Sequence, residues 1–396
     1  MAASPTDLGL NTNIMDTWLV ENDHKVRINL GESHVTDLDL AQAITPASEL
    51  ATLGDTSLGN NSTWGSQRLR EAIASTYPGV DPDQILVTAG VSEAIVALSA
   101  AHNRPGANMV IPVPAFHALM DVPKMFGMAV REVPLVPSRD FRLPAAEVIA
   151  AIDEDTSFVL LNSPHNPTGM VYRAQDVMAI ADTAADVGAV VVVDEHYRYL
   201  PGSPTDLWVT SAIGLRPNVV TFGSLGKCFG CTGLRVGWII AEPELIARYH
   251  HFKLLVTHTI SPLSDRIATI LLEQREHHLS ATVAQIHANL GRLEQTQARC
   301  PDTLTLYRPD AGSTAFIGLP TVGDTFAFAQ RLLDETGVLI LPGESFELPG
   351  FARMRLGIDS DLFDQACQAL EQLLLRHRAD HIALRDIHTK ESVHAD

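Results

Sequence analysis

The chain has 396 residues, with 28 Lys and Arg against 47 Asp and Glu, so its formal net charge at neutral pH is −19. Hydrophobic residues make up 46 % of the chain and charged residues 19 %, a balance that excludes an intrinsically disordered protein. The acidic total argues against nucleic acid or an anionic membrane surface as a partner, because both are bound by clustered Lys and Arg. The length fits one large domain accompanied by a smaller one.

The cysteine content and the N-terminal segment indicate the compartment. Four cysteines (Cys228, Cys231, Cys300 and Cys367) are too few for a secreted fold built on disulfides. Residues 1–16 lack the basic and apolar regions of a signal peptide, and no run approaches the roughly 18 apolar residues of a membrane span. We therefore expect a soluble, cytoplasmic protein.

From residue 66 to 240 the sequence alternates between helical and extended patterns. The predicted strands are continuous apolar runs, which is typical of strands buried on both faces of a mainly parallel sheet. The pattern therefore predicts an α/β fold with a mainly parallel central sheet flanked by helices. Predicted strands cover 84–88, 108–112, 156–162, 189–195, 218–224 and 235–240; predicted helices cover 66–76, 91–101, 115–127 with an interruption near Pro123, and 173–188 with Gly188 as C-cap.

After residue 241 the pattern changes to long helices followed by short strands, which predicts a smaller α+β domain. The predicted helices cover 243–255, 280–299, 326–335 and 362–375, and the predicted strands cover 303–307, 313–317, 338–341 and 354–358. The expected organisation is an N-terminal arm and part of the small domain (1–45), a large domain (46–275), a small domain (276–376) and a flexible tail (377–396).

Two polar segments directly follow predicted strands, where ligands bind in open α/β sheets. In the first, Pro and Gly in residues 162–169 force a tight loop that presents Asn166, although a simple turn is the alternative. In the second, Asp194 ends a buried strand, and a carboxylate in such a place needs a partner. A helix N-cap or an ordinary ion pair is the alternative for Asp194.

A third segment, residues 224–238, combines three types of functional residue after a buried strand. Lys227 is unusual there, since lysines are mostly solvated, and burial turns the amine into a nucleophile toward carbonyls. Arg235 could bind a phosphate, and Ser224 offers a hydroxyl to the same group. The three segments together indicate a site for an aldehyde cofactor that carries a phosphate and a pyridine ring.

On these residues the chain resembles the pyridoxal phosphate (PLP) enzymes of fold type I, in the class I and II aminotransferase group, over about residues 26–376. The resemblance implies that Lys227 forms the Schiff base with PLP and moves the substrate's Cα proton, and that Asp194 pairs with the pyridinium nitrogen. It implies that Asn166 and Tyr197 bind the phenolic oxygen, and that Ser224 and Arg235 bind the phosphate.

Other positions take their roles from the same resemblance. Gly90, Val91 and Ser92 match the loop whose N–H groups meet the phosphate, and Phe116 matches the aromatic residue stacked on the ring, with a core aromatic as the alternative. For the substrate, Arg355 matches the arginine that binds the α-carboxylate, although Arg353 is two residues away. Gly31 and Asn166 match further substrate contacts.

The sequence departs from the family pattern in several places. Segment 59–64 has no Tyr to reach a partner subunit's phosphate, so Asn60 or a neighbour must substitute. Gly226 stands where a small hydroxyl residue or Ala often precedes the lysine, and Phe116 stands where Tyr is common. These departures, with the segment 312–316 and the strand around Arg355, resemble capreomycidine synthase and related enzymes, which cyclise a hydroxylated arginine.

The sequence therefore favours an aminotransferase that converts a free amino acid through an external aldimine and a Cα carbanion, in a homodimer implied by the resemblance. The alternatives are elimination and cyclisation, a PLP-dependent oxidase or lyase, and a non-catalytic regulator on the same fold. No metal site is expected, because Cys228 and Cys231 have no second cysteine pair and fit better as loop residues. His34, His117 and His165 are candidates for the surroundings of the site.

Overall fold

The computed structural model describes residues 14–393, without the side chains of residues 47, 48 and 379–393. The described chain forms two compact units. The first unit contains residues 34–284 and 309–313, and the second contains residues 14–33, 285–308 and 314–393. Among the described residues, no helix combines the length and the apolar character needed to cross a membrane.

Helices and strands are numbered separately in chain order. The helices are α1 (Ile14–Asn22), α2 (Leu40–Ala43), α3 (Ala47–Ala51), α4 (Gln67–Ala74), α5 (Val91–His102), α6 (Ala118–Met125), α7 (Ala145–Ala150), α8 (Ala174–Asp186), α9 (Gly226–Phe229), α10 (Pro243–Val256), α11 (Pro262–Glu273), α12 (Arg275–Arg299), α13 (Thr325–Thr336) and α14 (Ser360–Val393). The strands are β1 (Ile28–Asn29), β2 (Ile85–Thr88), β3 (Asn108–Val113), β4 (Ala129–Pro134), β5 (Thr156–Asn162), β6 (Val190–Asp194), β7 (Val219–Ser224), β8 (Gly237–Ile240), β9 (Thr305–Tyr307), β10 (Thr314–Gly318), β11 (Val338–Leu339), β12 (Leu341–Pro342) and β13 (Phe351–Arg355).

A seven-stranded sheet with the order β2-β8-β7-β6-β5-β3-β4 forms the centre of the first unit. Its pairs are parallel except those of β8, which is antiparallel to both β2 and β7. In β6, Val190 and Val192 join the hydrophobic cluster on one face, and Val191 and Val193 join the cluster on the other. The continuous apolar runs are therefore strands buried on both faces, and the predicted fold class is confirmed.

Three neighbouring parallel strands of this sheet end in polar residues at one edge. Strand β5 ends at Asn162, β6 ends at Asp194 and β7 ends at Ser224. Asn162 is paired with Asp194 across β5 and β6, and Asp194 with Phe222 across β6 and β7. The fold thus collects the three polar ends at the carboxyl edge of the sheet, where open α/β sheets bind ligands.

The second unit is built on a four-stranded antiparallel sheet, β12-β13-β10-β9, and a two-stranded parallel sheet, β1-β11. Helix α1 packs within this unit, where the indole Nε1–H of Trp18 donates to the carbonyl of Ile340 at 3.0 Å. Strand β13 pairs with β10 in a register that sets Arg355 opposite Thr314 and Arg353 opposite Phe316.

Several predicted boundaries differ from the observed ones. Helix α6 begins three residues later than predicted and contains Pro123 near its end, and α14 continues from Ser360 to Val393, past the predicted start of a tail. Residues 34–45 lie in the first unit because backbone N–H groups of this segment bond to carbonyls of the loop after β7. Strand β4 was not predicted, since it is an edge strand whose half-exposed middle carries Arg131 and Glu132.

Candidate active site

Asp194 is a buried carboxylate at the end of β6, with 6 % of its surface exposed. Burial raises the pKa of Asp194 to about 7. The backbone N–H of His196 opposes this rise, because it donates a hydrogen bond to Oδ1 at 3.1 Å. The imidazole Nδ1 of His196 lies 3.8 Å from the same oxygen. A carboxylate desolvated in this way is stabilised in its charged form by a cation placed beside it, such as a protonated pyridine nitrogen.

The loop after β5 is anchored to the end of β6 through Asn162. The Asn162 side-chain amide donates to the carbonyl of Asp194 at 3.0 Å, while its Oδ1 accepts the N–H of Asn166 at 2.7 Å. In the same loop the Nδ1 of His165 lies 2.7 Å from the Thr168 hydroxyl, and burial lowers the pKa of His165 to about 4. Asn166 is thereby held over the sheet edge beside Asp194, and His165 is a neutral imidazole that fastens the loop.

Ser224, Lys227 and His196 lie together where β7 leads into α9. The Ser224 hydroxyl is 3.1 Å from Nε2 of His196, and half-buried Lys227 is the second residue of α9. Burial lowers the pKa of His196 to about 3, helped by the positive charges of Lys227 and Arg235. Both cations are therefore close enough to this imidazole to disfavour its protonation.

Three residues that are paired across β7, β8 and β2 connect Ser224 with the start of α5. Gly237 of β8 is paired with Ser224 on one side and with Thr88 on the other. Gly90 caps α5 with a φ of +81°, and a Cβ on Gly90 would lie 2.7 Å from Nη2 of Arg235. Glycine at position 90 therefore lets the Arg235 guanidinium approach the helix start, where the N–H groups of residues 90–92 attract anions.

Glu93 and Lys253 anchor the start of α5 through buried contacts. The Glu93 carboxylate accepts the N–H of Ala89, and Lys253 Nζ lies 3.4 Å from its Oε2. Both side chains are almost fully buried, and the Thr257 hydroxyl also donates to Glu93. This buried ion pair ties the turn before α5 to α10.

Two aromatic residues predicted for the cofactor ring lie at the same edge of the sheet. Tyr197 is buried in the turn after β6, where its Cβ lies 3.6 Å from the Cβ position of Gly312. Phe116 is half-buried after β3, packs against the core cluster and lies 4.6 Å from the ring of His117. Phe116 therefore packs against the core and also lies at the carboxyl edge of the sheet.

In the second unit the two arginines of β13 have different surroundings. Arg353 is 1 % exposed, and its guanidinium donates to the carbonyl of Gly31 at 2.5 Å. The N–H of Arg355 donates to the carbonyl of Leu30 at 2.9 Å, and the Gly31 N–H donates to Oδ1 of Asn29 at 3.0 Å. Arg353 is thus committed to a backbone contact, and a ligand at Gly31 would share its N–H with Asn29.

The loop after β7 also carries the two cysteines of the C-x-x-C segment. Cys228 is buried with its thiol against the carbonyl of His196 at 3.3 Å, and burial raises the pKa of both thiols, that of Cys231 to about 12. Protonated thiols are poor nucleophiles and poor metal ligands, which favours the interpretation as loop residues. Of the other candidate histidines, His34 faces Asp37 at 3.3 Å and His117 faces Asp121 at 3.4 Å.

The structure thus brings together most of the predicted residues at one edge of the first unit: Gly90, Val91, Ser92, Asn166, Asp194, Tyr197, Ser224, Lys227 and Arg235. Gly31 and Arg355 belong to the second unit. Sequence reasoning missed Asn162 and His196, which contact these residues. Asn162 was detectable as the polar last residue of an apolar strand, whereas the contacts of His196 depend on the neighbouring strand β7.

The chain is similar to known proteins over most of its length. Residues 25–370 match the family model for aminotransferase class I and II. Capreomycidine synthase of Streptomyces vinaceus is 28 % identical over 347 residues, which covers 87 % of this chain and 88 % of that protein. The arginine–pyruvate transaminase AruH of Pseudomonas aeruginosa is 28 % identical over 338 residues, which covers 82 % of this chain and 86 % of that protein.

Solved structures share the fold. A PLP-dependent aminotransferase from Streptococcus suis superposes with a TM-score of 0.87 at 24 % identity, covering 93 % of this chain and 98 % of that one. The PLP-dependent cyclase OrfR superposes with a TM-score of 0.82 at 26 % identity, covering 92 % and 97 %. The chain belongs to the class I and II aminotransferase family, with its fold type I architecture, and is an aminotransferase-type enzyme.

Proposed function

We propose that this aminotransferase binds PLP at the carboxyl edge of the seven-stranded sheet and uses it to transfer the amino group of a free amino acid. One observation carries the proposal. A buried carboxylate whose pKa is raised to about 7, a lysine and an arginine are grouped around the imidazole of His196 at the ends of adjacent strands. This group offers an anion for a pyridinium, an amine for an aldehyde and a cation for a phosphate.

The residues present fit the two ends of the cofactor. Ser224, Arg235 and the N–H groups of residues 90–92 form a cradle for a phosphate, which a Cβ on Gly90 would partly fill. Asp194 would hold the pyridinium nitrogen, and Asn166 and Tyr197 would bind the phenolic oxygen. The chemistry that PLP supplies is an aldehyde for an amine and a ring that accepts electrons from the substrate Cα.

The chain's own residues would position the substrate and move its proton. We propose that the Lys227 amine carries a proton between the substrate Cα and C4′ of the cofactor. We assign Arg355 to the α-carboxylate, which a guanidinium binds through two parallel hydrogen bonds. The contact of Arg353 with Gly31 supports Arg355 as the arginine for the substrate, with Gly31 and Asn166 as further contacts. Phe116 would pack against a face of the ring.

Reduction of the cofactor adduct tests the proposal directly. We expect borohydride treatment of the protein with PLP to label the peptide that contains Lys227, and Lys227→Ala to lose both this label and turnover. Lys25→Ala is the matched control, because Lys25 is half-exposed and paired with Asp334 on the surface. Mass spectrometry identifies the labelled peptide. A label on another lysine, or turnover in Lys227→Ala, would overturn the proposal.

A second candidate reaction is the elimination and cyclisation of a hydroxylated arginine-type amino acid. It is favoured by the likeness to capreomycidine synthase and to the cyclase OrfR, together with Gly226 and Phe116 in the site. Incubation with PLP and a panel that includes arginine and hydroxylated arginines distinguishes the two reactions. Transamination yields a keto acid and pyridoxamine phosphate, whereas cyclisation yields a product lighter by one water with its nitrogen retained.

We further propose a cytoplasmic homodimer. The four unpaired cysteines are consistent with a reducing compartment. Leu58, Leu255 and Val256 expose more than half of their surfaces, as apolar side chains at a subunit contact do in an isolated chain. Segment 59–64, including Asn60, would then take the place of the Tyr that reaches the partner's phosphate in other family members.

A further inference from the structure

His196 lies between the two ends of the candidate cofactor site. Its side chain is 19 % exposed, and it follows Asp194 by two residues. Nε2 lies 3.1 Å from the Ser224 hydroxyl, within hydrogen-bonding distance, whereas Nδ1 lies 3.8 Å from Oδ1 of Asp194, beyond it. The ring therefore spans the ends of β6 and β7 but makes its hydrogen bond on the β7 side.

The surroundings of this imidazole keep it neutral. Burial together with the charges of Lys227 and Arg235 lowers its pKa to about 3, while Asp194 is the carboxylate that faces it. The neighbouring Glu195 is directed elsewhere, since it accepts hydrogen bonds from the Ser211 hydroxyl and the Ala212 N–H. A neutral imidazole carries one N–H, which can serve only one of its two nitrogens.

The Ser224 hydroxyl can either receive that hydrogen or give its own to the ring. If the ring nitrogen accepted the hydroxyl hydrogen, Ser224 could not donate to a phosphate. If Nε2–H donates to Oγ, the hydroxyl hydrogen is left to point at an anion bound beside Arg235 and the start of α5. The arrangement with the hydrogen on Nε2 leaves none on Nδ1, which agrees with the 3.8 Å between Nδ1 and Oδ1 of Asp194. Asp194 accepts its hydrogen bond from the backbone N–H of His196 instead.

We propose that His196 is a positioning residue: its Nε2–H donates to Ser224 Oγ and thereby directs the Ser224 hydroxyl toward the cofactor phosphate. This inference rests on the proposed PLP site. It adds a residue that acts through Ser224 and touches no reacting atom.

Two substitutions separate the two nitrogens of the ring. In His196→Gln the side-chain amide can reach the place of Nε2, and in His196→Asn it can reach only the place of Nδ1. We expect His196→Asn to raise the dissociation constant for PLP about tenfold, because the hydrogen bond from the Ser224 hydroxyl to the charged phosphate is lost. We expect His196→Gln to raise it much less. Equilibrium dialysis of PLP against the PLP-free proteins measures both values, and thermal unfolding confirms that each variant is folded.

Pyridoxal, which lacks the phosphate, is the matched ligand control. Because His196 acts on the phosphate end, wild type and His196→Asn should bind pyridoxal with similar dissociation constants. Likewise, in a Ser224→Ala background the His196→Asn substitution should have no further effect on PLP binding, since its target hydroxyl is gone.

The results separate failure of this inference from failure of the proposed function. Equal weakening of PLP and pyridoxal, or an undiminished effect of His196→Asn in Ser224→Ala, would overturn the positioning role while wild type still forms the Lys227 adduct. Unchanged PLP binding in His196→Asn would overturn it as well. If wild type forms no adduct with PLP at Lys227, the proposed function itself is wrong.

Discussion

At the scale of single residues, the charge state of Asp194 links binding and stability. Its carboxylate accepts a hydrogen bond from the backbone N–H of His196 and has the neutral imidazole of the same residue 3.8 Å away, so its desolvation is only partly compensated. In the function that we propose, this residue is ionised beside a pyridinium, so the free-energy cost of burying its charge is borne by the protein before the cofactor binds. Binding sites commonly accept such a cost.

This cost predicts a pH dependence of stability for the PLP-free protein. The pKa of Asp194 rises from 3.8 to about 7 on folding, so the folded state holds this proton more tightly than the unfolded state. The stability it contributes is complete below about pH 4 and is lost as the pH rises toward 7, at up to about 1.4 kcal/mol per pH unit. In Asp194→Asn this dependence is absent.

Denaturant unfolding of both proteins at several pH values measures the effect. The free energy of unfolding of wild type minus that of Asp194→Asn should fall as the pH increases from 4 to 7. Saturating PLP should flatten the dependence, because a pyridinium favours the ionised carboxylate. A difference that stays constant with pH in the PLP-free proteins would contradict the assignment.

At the scale of elements, the start of α5 is the place where the Arg235 guanidinium comes close to the turn before a helix. The turn before the helix is held by Glu93 and Lys253 from within and lies against Arg235 on the other side. The left-handed backbone at Gly90 and the short distance to Arg235 both require glycine, and these two requirements can be tested apart.

Gly90→Ala and Gly106→Ala form a matched pair. Both glycines have a φ of +81°, but a Cβ at Gly106 meets nothing within 4 Å, whereas one at Gly90 meets Nη2 of Arg235 at 2.7 Å. We expect both variants to lose about 1 kcal/mol of stability from the backbone strain. Only Gly90→Ala should also bind PLP more weakly, by about tenfold or more, because its Cβ would displace Arg235 from the charge-assisted phosphate contact that we propose.

Thermal unfolding and equilibrium dialysis with PLP check this pair. Wild-type PLP affinity in both variants would show that Arg235 does not need to approach the helix start. A similar loss of affinity in both would place the effect in the backbone strain.

At the scale of the whole molecule, the exposed apolar side chains concern assembly. The segment after Leu58 is tied to α10 and α11, since Trp64 stacks on His250 at 3.6 Å and Asn61 donates to Asp265. Leu58 and Leu255 therefore belong to one connected part of the first unit, and we expect this part to contact a second copy of the chain.

Light scattering after gel filtration tests the assembly. Wild type should have twice the chain mass of 42.9 kDa, and Leu255→Glu should shift toward the monomer because it places like charges in an apolar contact. Val20→Glu is the control, since Val20 and Leu255 are both 75 % exposed. A monomeric wild type, or a Leu255→Glu variant that remains dimeric, would contradict this prediction.

The buried strands and most candidate residues at their ends could be predicted from the amino-acid sequence alone. Strands β5, β6 and β7 were predictable because a continuous apolar run is a local property, and so were Asp194 and Ser224 at the strand ends and Lys227 shortly after β7. Other features became visible only in the folded chain: the antiparallel place of β8, the edge strand β4, the different contacts of Arg353 and Arg355, and the hydrogen bond between His196 and Ser224. These features depend on which strands pair and where side chains point across them, and both are set by residues far apart in the chain.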